Sequence, residues 1–95
     1  MTNKIYLIEI GIEDSKLNYS YDGVSLISGA FQTQGGAAKK AKELYMAELE
    51  LLRMRYPGIE KHTIENEDSY EIEVLFNESE ETLMESWRVV EIEMK

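Results

Sequence analysis

The chain has 95 residues, 19 of them Asp or Glu and 10 Lys or Arg, for a formal net charge of −9. Hydrophobic residues make up 43%, enough for a folded core, and the length suits one domain over residues 1–95. Cysteine is absent and histidine occurs once, which excludes disulfide frameworks, thiolate metal sites and paired-histidine chemistry.

In chain order, Lys4–Ile12 reads as a strand rich in β-branched and aromatic residues. Tyr6, Ile8, Ile10 and Ile12 share one face; Ile5, Leu7 and Glu9 share the other. Glu13-Asp14-Ser15-Lys16 is a turn signal. Residues 17–31 support either one irregular strand ending near Phe31 or two short strands turning at Asp22-Gly23, a strong two-residue hairpin signal. The favoured form is a main strand over about 23–31, preceded by a loop. Thr33 is placed to cap a helix running to about Arg55. Its apolar stripe is Ala38, Ala41, Tyr45, Leu49, Leu52 and Tyr56, widened by Leu44 and Leu51. Tyr56-Pro57-Gly58 ends it, since proline cannot continue a helix and glycine tolerates the turn. Gly35-Gly36 has no Walker-type Gly-Lys-Ser/Thr beside it and reads as a tight loop. Residues 59–65 read as a short extended segment and 65–68 as a polar loop. Tyr70–Phe76 is a strand with Tyr70, Ile72, Val74 and Phe76 on one face. Residues 77–81 form a turn that Thr82–Glu85 extends, and Trp87–Met94 is the last strand, with Val90, Ile92 and Met94 inward. This β-β-α-β-β order predicts an α+β fold: a small antiparallel sheet with one amphipathic helix packed on one face.

The charge is uneven. Residues 1–59 hold seven acids and seven Lys/Arg, whereas residues 60–95 hold twelve acids and three Lys/Arg. Such a field disfavours direct nucleic-acid binding and attracts basic partners. Matching the apolar faces of the last two strands puts Ile72 opposite Ile92 and Val74 opposite Val90. The same register sets Glu71 opposite Glu93 and Glu73 opposite Glu91 on the uncovered face, beside Leu75, Val89 and Trp87. Leu7 and Glu9 join that face if the first strand lies nearby. Like charges directly across a strand pair destabilise a sheet, and an apolar strip rimmed by carboxylates resembles a protein-binding surface. The plainer reading of the same acids is a solvated face that keeps the protein soluble and its edges unpaired.

Reactive machinery is sparse. His62 reads as a surface residue past the helix. No Gly-x-Ser-x-Gly motif offers a nucleophile, and the acids at 65–68 lack the spacing of a calcium loop. The tyrosines are not interleaved with basic residues as a single-strand platform requires. The expectation is a non-enzyme with no catalytic residues, no cofactor and no metal. No apolar run approaches the roughly 18 residues of a membrane helix, and Met1–Lys4 leads into a strand without a signal-peptide core. Both features predict a cytoplasmic protein that does not engage a membrane.

Three stretches resemble small phage and prophage proteins of Gram-positive bacteria. They are Ile5-Tyr6-Leu7-Ile8-Glu9, the Phe31-Gln32-Thr33 entry into Ala37-Ala38-Lys39-Lys40-Ala41-Lys42, and the acidic closing run Trp87-Arg88-Val89-Val90-Glu91-Ile92-Glu93. In size and acidity the chain is also similar to phage-encoded inhibitors of host defence, anti-CRISPR proteins among them. That resemblance implies a non-enzymatic inhibitor in the bacterial host cytoplasm. It would mimic nucleic-acid charge on a basic, nucleic-acid-binding host protein such as a defence nuclease. It carries over no site residues, so the candidates come from the charge pattern. Glu71, Glu73, Glu91 and Glu93 form the contact set and Trp87 a possible anchor. Glu67, Asp68, Glu78, Glu80 and Glu81 widen the field and speed encounter. The alternative is a small structural or accessory protein that self-associates, for example as a homodimer through Leu17–Leu26 or the helix, with acids that only solubilise.

Overall fold

Two long runs of alternating β-formers pair along almost their whole length. In the computed structural model, which describes residues 3–25, 29–76 and 80–94, β1 (Asn3–Asp14) lies antiparallel to β5 (Glu81–Met94). Their register is unbroken from Asn3–Met94 to Asp14–Leu83. Around this ladder sit β2 (Tyr19–Ser25), β3 (Glu60–Glu65) and β4 (Ser69–Phe76), giving a five-stranded antiparallel sheet in the order β2-β1-β5-β4-β3. The helix α1 (Gln34–Arg55) connects the two edge strands and packs on one sheet face, so the fold is α+β as the sequence predicts. The molecule measures 55 × 23 × 20 Å, its long axis set by the β1–β5 ladder.

The helix starts where the sequence places it. Thr33 has extended backbone (φ −128°) and its hydroxyl accepts the Gly36 N–H at 3.0 Å. It ends at Tyr56, whose N–H donates to the Leu52 carbonyl at 2.8 Å, followed by Gly58 at φ +77°. The buried stripe is Ala37, Ala41, Tyr45, Leu49 and Leu52. Leu51, expected to widen it, is 56% exposed. Beneath the stripe lie Ile8, Tyr70, Ile72, Val74, Trp87 and Val89. Tyr45 holds the centre: its ring stacks on Tyr70 at 5.2 Å and meets the edge of Trp87 at 6.1 Å.

Three sequence expectations need correction. Neither the favoured loop before a strand at about 23–31 nor the alternative turn at Asp22-Gly23 is found: β2 starts at Tyr19 and runs straight through Asp22 and Gly23, and the turn lies at residues 15–18. Gly23 does not adopt the positive φ that a two-residue turn demands, and the Tyr21 ring covers its bare backbone. The later part of the expected 23–31 strand includes residues 26–28, outside the described residues; Phe31 makes a single bridge to Tyr6. The short extended segment expected at 59–65 is present as the edge strand β3.

The third correction concerns register. The last strand begins at Glu81, directly opposite Phe76, not at Trp87. Ile72 therefore faces Glu85 and Val74 faces Leu83. The slip from Ile92 to Glu85 is an odd number of residues, which exchanges the two faces of the strand. Trp87 and Val89 point into the core; Val90 and Ile92 point away from it.

Candidate functional site

Residues directly opposite on neighbouring strands share a face, so the registers assign every strand side chain. The face away from α1 carries Glu9, Gly11 and Glu13 of β1, Asp22 of β2 and Ser86 and Arg88 of β5. It also carries Glu71 and Glu73 of β4 and Glu60 and His62 of β3, with apolar Val24, Ile64, Leu75 and Met84 between them. Six carboxylates thus stand against one arginine. Among the described residues no helix covers them. Arg88 is bound to Glu9. His62 Nε2 lies 3.1 Å from Glu60 Oε1, and its Nδ1 lies 3.9 Å from Glu73 Oε1. Alternate residues on one strand are about 6.6 Å apart and adjacent strands about 4.8 Å apart, so the carboxylates form a grid on that scale.

A glycine opens the centre of this grid. A Cβ added at Gly11 would sit 2.5 Å from Ser86 Oγ and 2.8 Å from Asp22 Oδ1. Both side chains lean over the glycine from the flanking strands. Beside them is a cleft of about 480 Å³ lined by Glu9, Asp22, Ser69, Glu71, Ser86 and Arg88, with Ile64 and Asn66 toward β3. One end of the same face is apolar, where the buried Leu7 pairs with the half-buried Val90 and the half-buried Ile5 pairs with the exposed Ile92. The surface therefore joins an acidic middle to an apolar end.

The predicted contact residues do not form one patch. Glu71 and Glu73 are on the uncovered face. Glu91 and Glu93 lie on the opposite, helix-side face, where Glu91 accepts the Tyr6 hydroxyl at 3.2 Å and meets Lys4 at 3.4 Å. The carboxylate square is thus absent. Trp87, only 5% exposed, is core and cannot anchor a partner. Glu67 and Asp68 form the turn between β3 and β4, with Asp68 accepting from Gln34 Nε2 at 3.4 Å. Glu80 and Glu81 lie at the far end of β4, and Glu78 lies outside the described residues. The members the sequence reading missed are Glu13, Asp22 and Glu60. Glu13 stands in a turn signal, Asp22 in a stretch that reads as loop or turn, and Glu60 at the start of a short extended segment.

One carboxyl differs from all these. Glu85 projects to the helix side between Ile12 and Ile72, and its Oε2 is buried without a hydrogen-bond partner. Burial, reinforced by the nearby Glu48 carboxylate and opposed by Arg55, pushes its pKa up to about 7. Burial likewise raises the Tyr45 phenol, which donates to Glu65 Oε2 at 3.1 Å. Both groups sit in the helix–sheet packing rather than in the open cleft. Among the described residues, no group of three or more His, Asp or Glu side chains is placed to hold a metal ion. No helix among them is long and apolar enough to cross a membrane. Compared with protein-family models, curated proteins and solved structures, the chain shows no match to any of the three.

Proposed function

We propose that this chain is a non-enzymatic binding protein whose uncovered sheet face docks on a basic surface of another protein. The observation that carries the reading is the six-to-one ratio of carboxylates to arginine on that face, adjoining the apolar end where Ile92 is exposed beside the half-buried Ile5 and Val90. Protein-binding patches combine an apolar centre with a polar rim, and complementary charge gives them specificity and fast encounter. A surface basic enough to match this grid is one that otherwise holds phosphates. The finer reading is an inhibitor of phage type that occupies the nucleic-acid site of a protein in the host cytoplasm. The contact set then becomes Glu60, Glu71 and Glu73 with Asp22 and Glu13, in place of Glu91, Glu93 and Trp87.

The test compares two reversals on opposite faces. The protein is used as bait in nuclease-treated bacterial lysate and eluted with a salt gradient, and captured proteins are identified by mass spectrometry. The expected partner is basic, is released by moderate salt and is displaced by added duplex DNA. The triple reversal Glu60→Lys, Glu71→Lys, Glu73→Lys loses the partner, whereas Glu91→Lys with Glu93→Lys retains it. Equal capture by both variants refutes the assignment of the face.

A further inference from the structure

The two edges of the sheet differ in how they are guarded. Edge strands expose unpaired backbone groups, and charged side chains are the usual protection. β3 has that protection in Glu60, Lys61, His62 and Glu65. β2 carries one charge, Asp22, in a chain of net −9. Its helix-side face shows Tyr19 at 52% and Tyr21 at 49% exposure, with Leu17 at 72% in the preceding turn. The helix packs on β1, β4 and β5 and leaves this edge open.

We infer that β2 pairs antiparallel with β2 of a second copy, about a twofold axis at Tyr21, to make a continuous ten-stranded sheet. The strand is self-complementary in that register. Tyr21 meets Tyr21, Tyr19 meets Gly23, and Ser20 meets Asp22 at both ends. Each Asp22 carboxylate then faces a hydroxyl donor. Moving the axis by one residue to Asp22 sets the two carboxylates against each other, which a strand pair disfavours. On the helix side the four tyrosines form one strip, with Tyr21 already lying over its own Gly23.

Self-complementarity makes a second copy the fitting occupant, and charge explains why the contact is at this edge rather than between faces. Two copies of net −9 repel wherever their acidic faces meet. Edge pairing keeps those faces side by side instead of stacking them. Glu9 and Glu13 belong to β1, and the two β1 strands would be three strand spacings apart, about 14 Å. That exceeds the Debye length of about 8 Å at physiological salt, so most of the repulsion is screened. The twofold is isologous and closes at two copies, and it engages only Asp22 of the residues proposed for partner binding, leaving Glu13, Glu60, Glu71 and Glu73 free.

Sedimentation equilibrium on the full chain at 0.15 M salt, up to about 0.5 mM protein, tests this. The expected result is a monomer–dimer equilibrium. Ser20→Asp puts a carboxylate opposite Asp22 of the other copy and weakens the dimer at least about tenfold, whereas Ser20→Lys supplies the opposite charge and tightens it. Circular dichroism verifies that both variants keep the fold, because Ser20 also faces Glu13 in its own sheet. A monomer throughout overturns the inference and leaves the edge to a strand of another protein. A dimer that both variants leave unchanged overturns it too, and moves the contact to another surface such as the helix.

Discussion

Glu85→Gln isolates the largest electrostatic cost visible in the packing. Glu85 is held between Ile12 and Ile72 under the helix, and its pKa rises from 4.5 to about 7. For an acid the raised value means that the folded protein favours the protonated form. Below about pH 4.5 both states are protonated and the site costs nothing. Between pH 4.5 and 7 the folded state binds more protons than the unfolded one, so stability falls as pH rises. Above pH 7 the loss is complete and constant. Each pKa unit is worth about 1.4 kcal/mol, which sets a ceiling of about 3.5 kcal/mol for this shift from 4.5 to about 7. The side chain keeps partial access to solvent, and screening reduces the figure to about 2 kcal/mol. Glutamine matches the protonated form in shape and cannot ionise. Glu85→Gln should therefore equal the parent at pH 4.5 and exceed it by about 2 kcal/mol at pH 8, or roughly 10 °C in Tm for a domain of this size. Urea denaturation followed by circular dichroism at both pH values measures the difference, and the comparison cancels every other titrating group. Parallel pH profiles for the two proteins would refute the reasoning.

Other perturbations probe the same packing. Tyr45→Phe removes the hydroxyl that donates to Glu65 but keeps the stack on Tyr70, so it should cost about 1 kcal/mol in urea denaturation. Gly11→Ala forces its methyl against Ser86 Oγ and should destabilise by about 1–2 kcal/mol. Adding Ser86→Ala should recover part of that loss, a coupling that a double-mutant cycle reads directly. Trp87, the only tryptophan, is 5% exposed. Its fluorescence should be blue-shifted in the folded state and nearly insensitive to iodide, with sensitivity appearing only on unfolding.

The sequence made the element types legible because they depend on local periodicity. The two faces of β1, the Thr33 cap, the Pro57-Gly58 stop and the Tyr70–Phe76 alternation all read correctly. The site was not legible, because it depends on register. Matching Ile72 to Ile92 is reasonable when the strand is taken to start at Trp87. Once the turn is tight enough to pair Phe76 with Glu81, the partner is Glu85. A glutamate inside the helix-facing row is the choice that hydrophobic patterning rejects, and Glu85 keeps its raised pKa as the consequence. Asp22-Gly23 misled for a related reason. Its turn signal is real, but Tyr21 covers the glycine and Gly11 opposite makes room for the aspartate, so a strand is accommodated.

The carboxylate grid on the uncovered face carries an energetic signature of its own. Two unit charges about 6.6 Å apart in water-like dielectric repel by about 0.6 kcal/mol, and salt at physiological strength screens more than half of this. Replacing Glu60, Glu71 and Glu73 together by glutamine removes half of the six carboxylates while preserving side-chain volume. The variant should gain about 0.5–1 kcal/mol at low salt, and the gain should shrink as salt rises, because the parent protein is stabilised by screening and the variant less so. A face kept only for solubility has no reason to place its charges where they oppose one another on a single side of the sheet. A face selected for binding trades stability for recognition. Raised stability together with lost capture of the basic partner is therefore the pairing that identifies the grid as a binding surface. Chemical denaturation at about 0.02 and 0.5 M salt, set beside the capture assay, decides the matter. A parent protein whose stability does not respond to salt would show that the grid stores no repulsion, and the inference from charge placement to function would fall with it.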